Sequence, residues 1–213
     1  MGQPVLILGT RTLAVEVMDL IGEIHGYEVA GFVENLDRDR VQQTIADLPV
    51  FWIDDIARYA STHVVTCALS TTHRRVFVEQ AVHFGLRPVT LVHPSARVSR
   101  RATLGEGCFV SAGAVVSTDT VLGRGVFVNR GALIGHHTSI GDFCTIQPGA
   151  NIAGAVTIAH GTYVGMGAIV VDRRAIGSSS VIAAGAVVTA DVADRVLVAG
   201  VPARVVKSNI DGK

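Results

Sequence analysis

The sequence predicts a chain in two parts: an N-terminal α/β half-domain of Rossmann-like type and a C-terminal all-β solenoid of parallel coils. Sixteen aliphatic residues stand at uninterrupted six-residue intervals from Val98, Leu104 and Val110 through to Ile176, Ile182 and Val188. A sustained period of six is neither helical nor a plain two-residue alternation, and it marks stacked short strands. Ahead of it, residues 1–92 alternate strand-like and helix-like apolar runs. The composition agrees, since 49% hydrophobic residues and 23 glycines with only 5% aromatics suit a thin, regular prism.

Taken in order, Val5 to Leu8 reads as a short buried strand ended by Gly9. Leu13, Val17, Leu20, Ile21 and Ile24 recur at helical spacing until Gly26 stops the run. Tyr27 to Val33 is a second strand, followed by the charged stretch Glu34 to Arg40. Ile53 to Tyr59 is a short helix and Val64 to Leu69 a third strand. Ser70-Thr71-Thr72 caps a helix running through Val76, Val78 and Val82, and Pro88 to Val92 is the last strand of this half-domain. His93-Pro94-Ser95-Ala96 punctuates the change of regime.

Two residues before each aliphatic lies a mostly small side chain, such as Ala96, Cys108, Ala132 or Ala186. A longer period overlies the hexads. Glycine follows the aliphatic at 105, 123, 141 and 177, with Ala159 in the one gap, so the unit is 18 residues and three hexads close one coil. The prism is then about 25 Å tall at one strand spacing per coil. The predicted divisions are 1–92 for the α/β part, 93–190 for the solenoid and 191–213 for a capping tail. Open coil edges invite pairing with other chains; the α/β part covers one end and the tail the other.

Formal net charge is zero, which gives no global electrostatic reason to bind nucleic acid or an anionic membrane. No apolar run approaches the roughly 18 residues of a membrane span, and the expected compartment is the cytoplasm. The odd count of three cysteines agrees with a reducing environment. Cys108 and Cys144 fall two coils apart, roughly 10 Å, too far for a disulfide.

The hexads, with Gly105 to Gly107, Gly149-Ala150, Gly165 and Ala184-Gly185-Ala186-Val187-Val188, resemble the left-handed β-helix hexapeptide acyltransferases. The closing run from Val198 to Lys207 is similar to the tail of the acetyl-CoA enzymes in that group. With the α/β part and the His-Pro-Ser-Ala junction, nearly the whole chain resembles the sialic acid O-acetyltransferase (NeuD) branch. That branch includes N-acetyltransferases of nucleotide-linked 4-amino-4,6-dideoxy sugars in bacterial glycan biosynthesis. The resemblance implies acetyl-CoA as co-substrate, no metal, a nucleotide-linked amino sugar as partner, and a homotrimer with sites between neighbouring solenoids.

The same resemblance assigns candidate residues. His136, seven residues after Asn129, matches the catalytic base, a proton acceptor suited to neutral pH. Asn129 matches a residue that places the acceptor. The slot after the base, commonly acidic, holds His137; either another carboxylate reaches in, with Asp119 and Asp142 nearby in sequence, or the base is weaker. Thr145 stands where related chains carry a histidine on the acetyl-CoA side. Gly154 matches the backbone donor to the oxyanion, and Met166 and Ala184 match the pantetheine lining. Arg204 and Lys207 are candidate partners for coenzyme A phosphates, or else a solvated basic tail.

The first loop reads Gly9-Thr10-Arg11-Thr12, without the second glycine and histidine of the related Gly-x-x-Gly-His. Either Arg11 compensates as a phosphate ligand or the loop no longer binds the usual partner. Glu34 and Asn35 stand where related chains contact the nucleotide base. O-acetylation of a sugar is the near alternative. A zinc enzyme of γ-carbonic-anhydrase type, using His136 and His160, and a non-catalytic sugar-binding scaffold are the more distant ones.

Overall fold

In the computed structural model, residues 2–60, 63–66 and 71–213 are described, with the side chains of His63, Val65 and Thr66 left aside. The predicted strand end at 67–69 and the Ser70 cap lie outside those residues.

The α/β part is built on a mostly parallel sheet. Its elements are β1 (Gln3–Leu8), α1 (Thr12–Gly22), β2 (Tyr27–Glu34), β3 (Thr44–Ile45), β4 (Leu48–Trp52), β5 (His63–Thr66), α2 (Thr71–His83) and β6 (Arg87–Pro88). The strand order is β3-β4-β2-β1-β5-β6, with only the β3–β4 hairpin antiparallel. Val5 to Leu8 are fully buried because helices or solenoid cover the sheet on both sides, as a continuous apolar strand requires. The segment Ile53–Tyr59 is a 3₁₀ helix.

Every hexad aliphatic from Val98 onward sits in a two-residue strand, paired in parallel with its equivalents 18 residues away. Three faces result. The first carries Leu91–Val92, Phe109–Val110, Phe127–Val128 and Thr145–Ile146; the second carries Val115–Val116 and Leu133–Ile134; the third carries Val121–Leu122 and Ser139–Ile140. The aliphatics point inward and form one continuous core with Cys108, Cys144 and the alanines.

Each corner between strands holds four residues, and from Gly107 to Gly185 the third adopts a left-handed conformation. Gly107, Gly125 and Gly161 fill that place at one edge, whereas Asp119 (φ 55°) and His137 (φ 56°) fill it at another. Asp and His are among the side chains that tolerate this region.

Arg87–Pro88 ends the first sheet, while Leu91–Val92 pairs with Phe109–Val110 and is the first rung of the solenoid. The Pro88–Val92 run is therefore two strands, one in each part. At the other end the coil continues past 190, with Val192 bridged to Ile176 and Val196–Ala199 parallel to Val181–Ile182. Arg204–Ser208 then turns back antiparallel as the cap.

The two parts share their cores. Phe109 and Phe127 project outward from the first face, stack at 5.2 Å, and pack among Val5, Ile7, Val17 and Phe32. Phe143 does the same beside Leu6, Phe77 and Ala81. Arg74, with no exposed surface, crosses from α2 and donates to the carbonyls of Gly125 (3.0 Å), Phe143 (2.7 Å) and Cys144 (2.8 Å). His93 straps the junction: its Nδ1 accepts from the Ser95 N–H at 3.2 Å, which leaves the proton on Nε2 to meet Glu23 at 3.1 Å.

Candidate active site

The corner that leads from the second face to the third carries the candidate base. Its second positions, one above another, are Arg100, Thr118, His136, Gly154 and Asp172; its third positions are Arg101, Asp119, His137, Ala155 and Arg173. His136 is exposed there, two residues beyond Ile134, because the strand turns its preceding aliphatic inward. It borders a groove of about 690 Å³ that runs down the second face past Thr118, Ser117, Ser99, Arg97 and Arg100.

The imidazole is held on two sides. Its Nδ1 lies 3.1 Å from Nδ1 of His137, and the two rings meet edge to face. Its flat side covers Gly154 one coil above, where an added Cβ would come within 2.6 Å of Cε1. His137 in turn has Nε2 3.6 Å from Asp119, which is bonded to Arg101 at 2.8 Å. The acid opposite His137 is therefore Asp119 from the coil below. Asp142, the other sequence candidate, sits at a different corner and accepts from the Arg124 N–H.

The remaining candidates fall into separate places. Asn129 lies at the corner that precedes Leu133–Ile134, buried, with its side-chain oxygen accepting from the Arg130 N–H at 2.8 Å. Met166, exposed, and Ala184 belong to that same corner in higher coils. Asn129 and His136 thus mark the two edges of the second face and do not meet within one chain.

Thr145 is fully buried on the first face between Phe127 and Tyr163. It shows no exposed surface within the isolated chain. Arg204 and Lys207 stand exposed on the capping strand, with no carboxylate partner among the described residues.

In the first loop, Gly9 takes φ 118° and lets the chain turn at the end of β1. Thr10 turns inward and its hydroxyl donates to Glu34, while Arg40 donates to the Thr10 carbonyl at 3.0 Å. The other Glu34 oxygen accepts from the N–H groups of Asn35 and Leu36. Burial pushes the Glu34 carboxyl up, but the bonds from Thr10 and the backbone outweigh it and hold the acid below its ordinary range. Asn35 reaches Gln80 at 2.8 Å and His73 at 3.1 Å. Glu34, Asn35 and Thr10 therefore brace the loop. Arg11 and Thr12 remain exposed at the start of α1, and Arg11 caps it without a side-chain bond.

His160 belongs to a third corner, beside a cavity of about 660 Å³ under α2 that it shares with Arg124 and Arg195. No cluster of three His, Cys, Asp or Glu capable of holding a metal occurs among the described residues. No helix among them is long and apolar enough to cross a membrane.

The comparisons agree with this fold. The family profile "Bacterial transferase hexapeptide (six repeats)" matches residues 119–154, the coils that hold His136. A mutant of perosamine N-acetyltransferase from Caulobacter crescentus, with one histidine changed to asparagine, was solved with CoA and GDP-perosamine. It superposes with TM-score 0.86 at 28% identity, over 96% of this chain and 97% of that one. The acetyltransferase domain of PglB from Neisseria gonorrhoeae FA1090, in complex with acetyl coenzyme A, gives TM-score 0.88 at 29% identity, over 97% and 100%. WeeI from Acinetobacter baumannii AYE shares the fold with TM-score 0.84 at 22% identity, over 95% and 99%. No curated protein sequence matches the chain. On fold, repeat profile and these likenesses together, the chain is a left-handed β-helix of hexapeptide-transferase repeats, similar over nearly its whole length to CoA-dependent N-acetyltransferases.

Proposed function

We propose that this enzyme transfers an acetyl group from acetyl-CoA to the amino group of a nucleotide-linked amino sugar, with His136 as general base, in a cytoplasmic homotrimer. The observation that carries it is the exposed His136 imidazole, fixed through Nδ1 and by Gly154 beside an open groove. If His136 donates its Nδ1 proton to His137, its Nε2 is left as the free lone pair. That nitrogen takes the proton from the attacking amine as the amine adds to the thioester carbonyl. The tetrahedral oxyanion needs a donor, and the Gly154 N–H, one coil above and unused among the described residues, is on hand. Collapse then expels coenzyme A, whose sulfur takes the proton back from His136 and leaves as the thiol.

The split of the candidates supports the trimer. His136 lies at one edge of the second face, and Asn129, Met166 and Ala184 lie at the other. A cyclic assembly sets one edge of each chain against the opposite edge of its neighbour and closes three such clefts. The half-exposed Leu133 and Ile169 on the face between suit burial in that contact. The acceptor's nucleotide is assigned to the loop Gly9 to Thr12. It lies at the carboxyl ends of the parallel strands, where the order reverses between β1 and β5. Arg11 is the phosphate contact there, and Arg204 and Lys207 are assigned to coenzyme A phosphates.

The test is thiol release from acetyl-CoA across UDP-, GDP- and dTDP-linked amino sugars, with light scattering for the assembly. At least one amino sugar should be acetylated by a trimer, and His136→Ala should lower kcat at least 10²-fold. A monomer, or an unimpaired His136→Ala variant, refutes the reading.

A further inference from the structure

We propose that His137 and Asp119 form a relay that positions the His136 base, with Arg101 anchoring its far end. The inference rests on the role given to His136 above. Arg101, Asp119 and His137 occupy the same corner place in three successive coils, so the solenoid period stacks a cation, an anion and an imidazole in one column.

The contacts run in one direction. Arg101 takes Oδ1 of Asp119 through Nε at 2.9 Å and a terminal nitrogen at 2.8 Å. Oδ2 is left toward Nε2 of His137 at 3.6 Å, an ion-pair distance too long for a hydrogen bond. The bond from Arg101, against desolvation, and then the charges of Arg101 and His137 keep the Asp119 carboxyl below its ordinary range, so it is ionised at neutral pH.

Only one set of tautomers satisfies the column and leaves His136 basic. Asp119 favours the proton of His137 on Nε2, which makes His137 Nδ1 an acceptor. His136 then donates from Nδ1 and keeps the lone pair on Nε2. When His136 gains its proton, the Asp119 charge stabilises the cation through the intervening ring. The other charged groups beside His136 are Arg97 and Arg100, which line the same groove and oppose that cation. Both His137 and Asp119 sit at left-handed positions that Asp and Asn also tolerate, so conservative exchanges keep the corner.

The experiment compares wild type with Asp119→Asn, His137→Asp, the double variant and His136→Ala, by kcat and by KM for both substrates. An Asp at 137 sets an oxygen where Nδ1 of the imidazole now lies, so it bonds His136 directly and makes Asp119 redundant. Asp119→Asn should lower kcat roughly tenfold with little change in KM, a part of the 10²–10⁴ due to the base itself. His137→Asp should stay within about threefold of wild type, and adding Asp119→Asn to it should cost nothing further. Loss of kcat in His136→Ala with a normal Asp119→Asn enzyme, or an equal cost of Asp119→Asn in both backgrounds, overturns the relay alone. Full activity in His136→Ala overturns the relay together with the reading it rests on.

Discussion

The His136 imidazole lies against Gly154 so closely that a Cβ on that glycine would stand 2.6 Å from Cε1 and 2.7 Å from Nε2. The glycine has no left-handed backbone to protect, so its value here is empty space. Gly154→Ala should leave the solenoid folded and push the ring off its place. A displacement on the order of 1 Å costs roughly 10²-fold in rate. Steady-state kinetics should show that loss in kcat, with the melting temperature nearly unchanged.

Arg74 gives a second prediction, about the seam between the two parts. Its guanidinium is fully buried and serves three carbonyls contributed by two adjacent coils. Truncation leaves buried acceptors without donors, and lysine lacks the planar fork to reach all three. Both Arg74→Met and Arg74→Lys should destabilise the protein by about 3 kcal/mol or more, read by denaturant unfolding.

The sequence made the solenoid legible because its core obeys a strict count, and every predicted aliphatic points inward. The second helix was harder. Of the valines that mark it, Val76 and Val82 are exposed, and the buried side is Arg74, Phe77, Val78 and Ala81. An arginine on a packed face reads as solvent-facing until its carbonyl partners, from distant coils, are known. In the sequence Leu91–Val92 looks like any short strand, and only its pairing with Phe109–Val110 assigns it to the solenoid.

The candidate site was legible to the same extent. His136 stood out, but the partner of His137 did not, although the spacing 101, 119, 137 repeats the coil length and carried the signal. Asp119 and Asp142 were equal candidates until the corner was fixed. The braced state of Glu34 depends on a hydroxyl 24 residues away and left no local trace.

Acid should loosen the first loop. Glu34 has a folded value below its ordinary 4.5. Its contribution is therefore complete above 4.5 and is lost as pH falls through the lower folded value. Asp119 and Asp194 act in the same sense from 3.8, held down chiefly by Arg101 and by Ser178 respectively. Stability should be level from about pH 7 to 5.5 and decline below about pH 4.5. Glu34→Gln should start lower at neutral pH and decline less steeply, as followed by thermal melts across that range.

The core cysteines should be chemically silent. Burial pushes the thiol of Cys108 up to about 11 and that of Cys144 up to about 12. Iodoacetamide at pH 8 should leave both unmodified in the native protein and alkylate both in guanidinium, as mapped by mass spectrometry.

The paired rings of Phe109 and Phe127 act as a plug that fits one socket, the apolar hollow beneath the opening sheet. A graft that keeps the prism but swaps the head would leave two phenyl rings facing water unless the new head brings a matching socket with it.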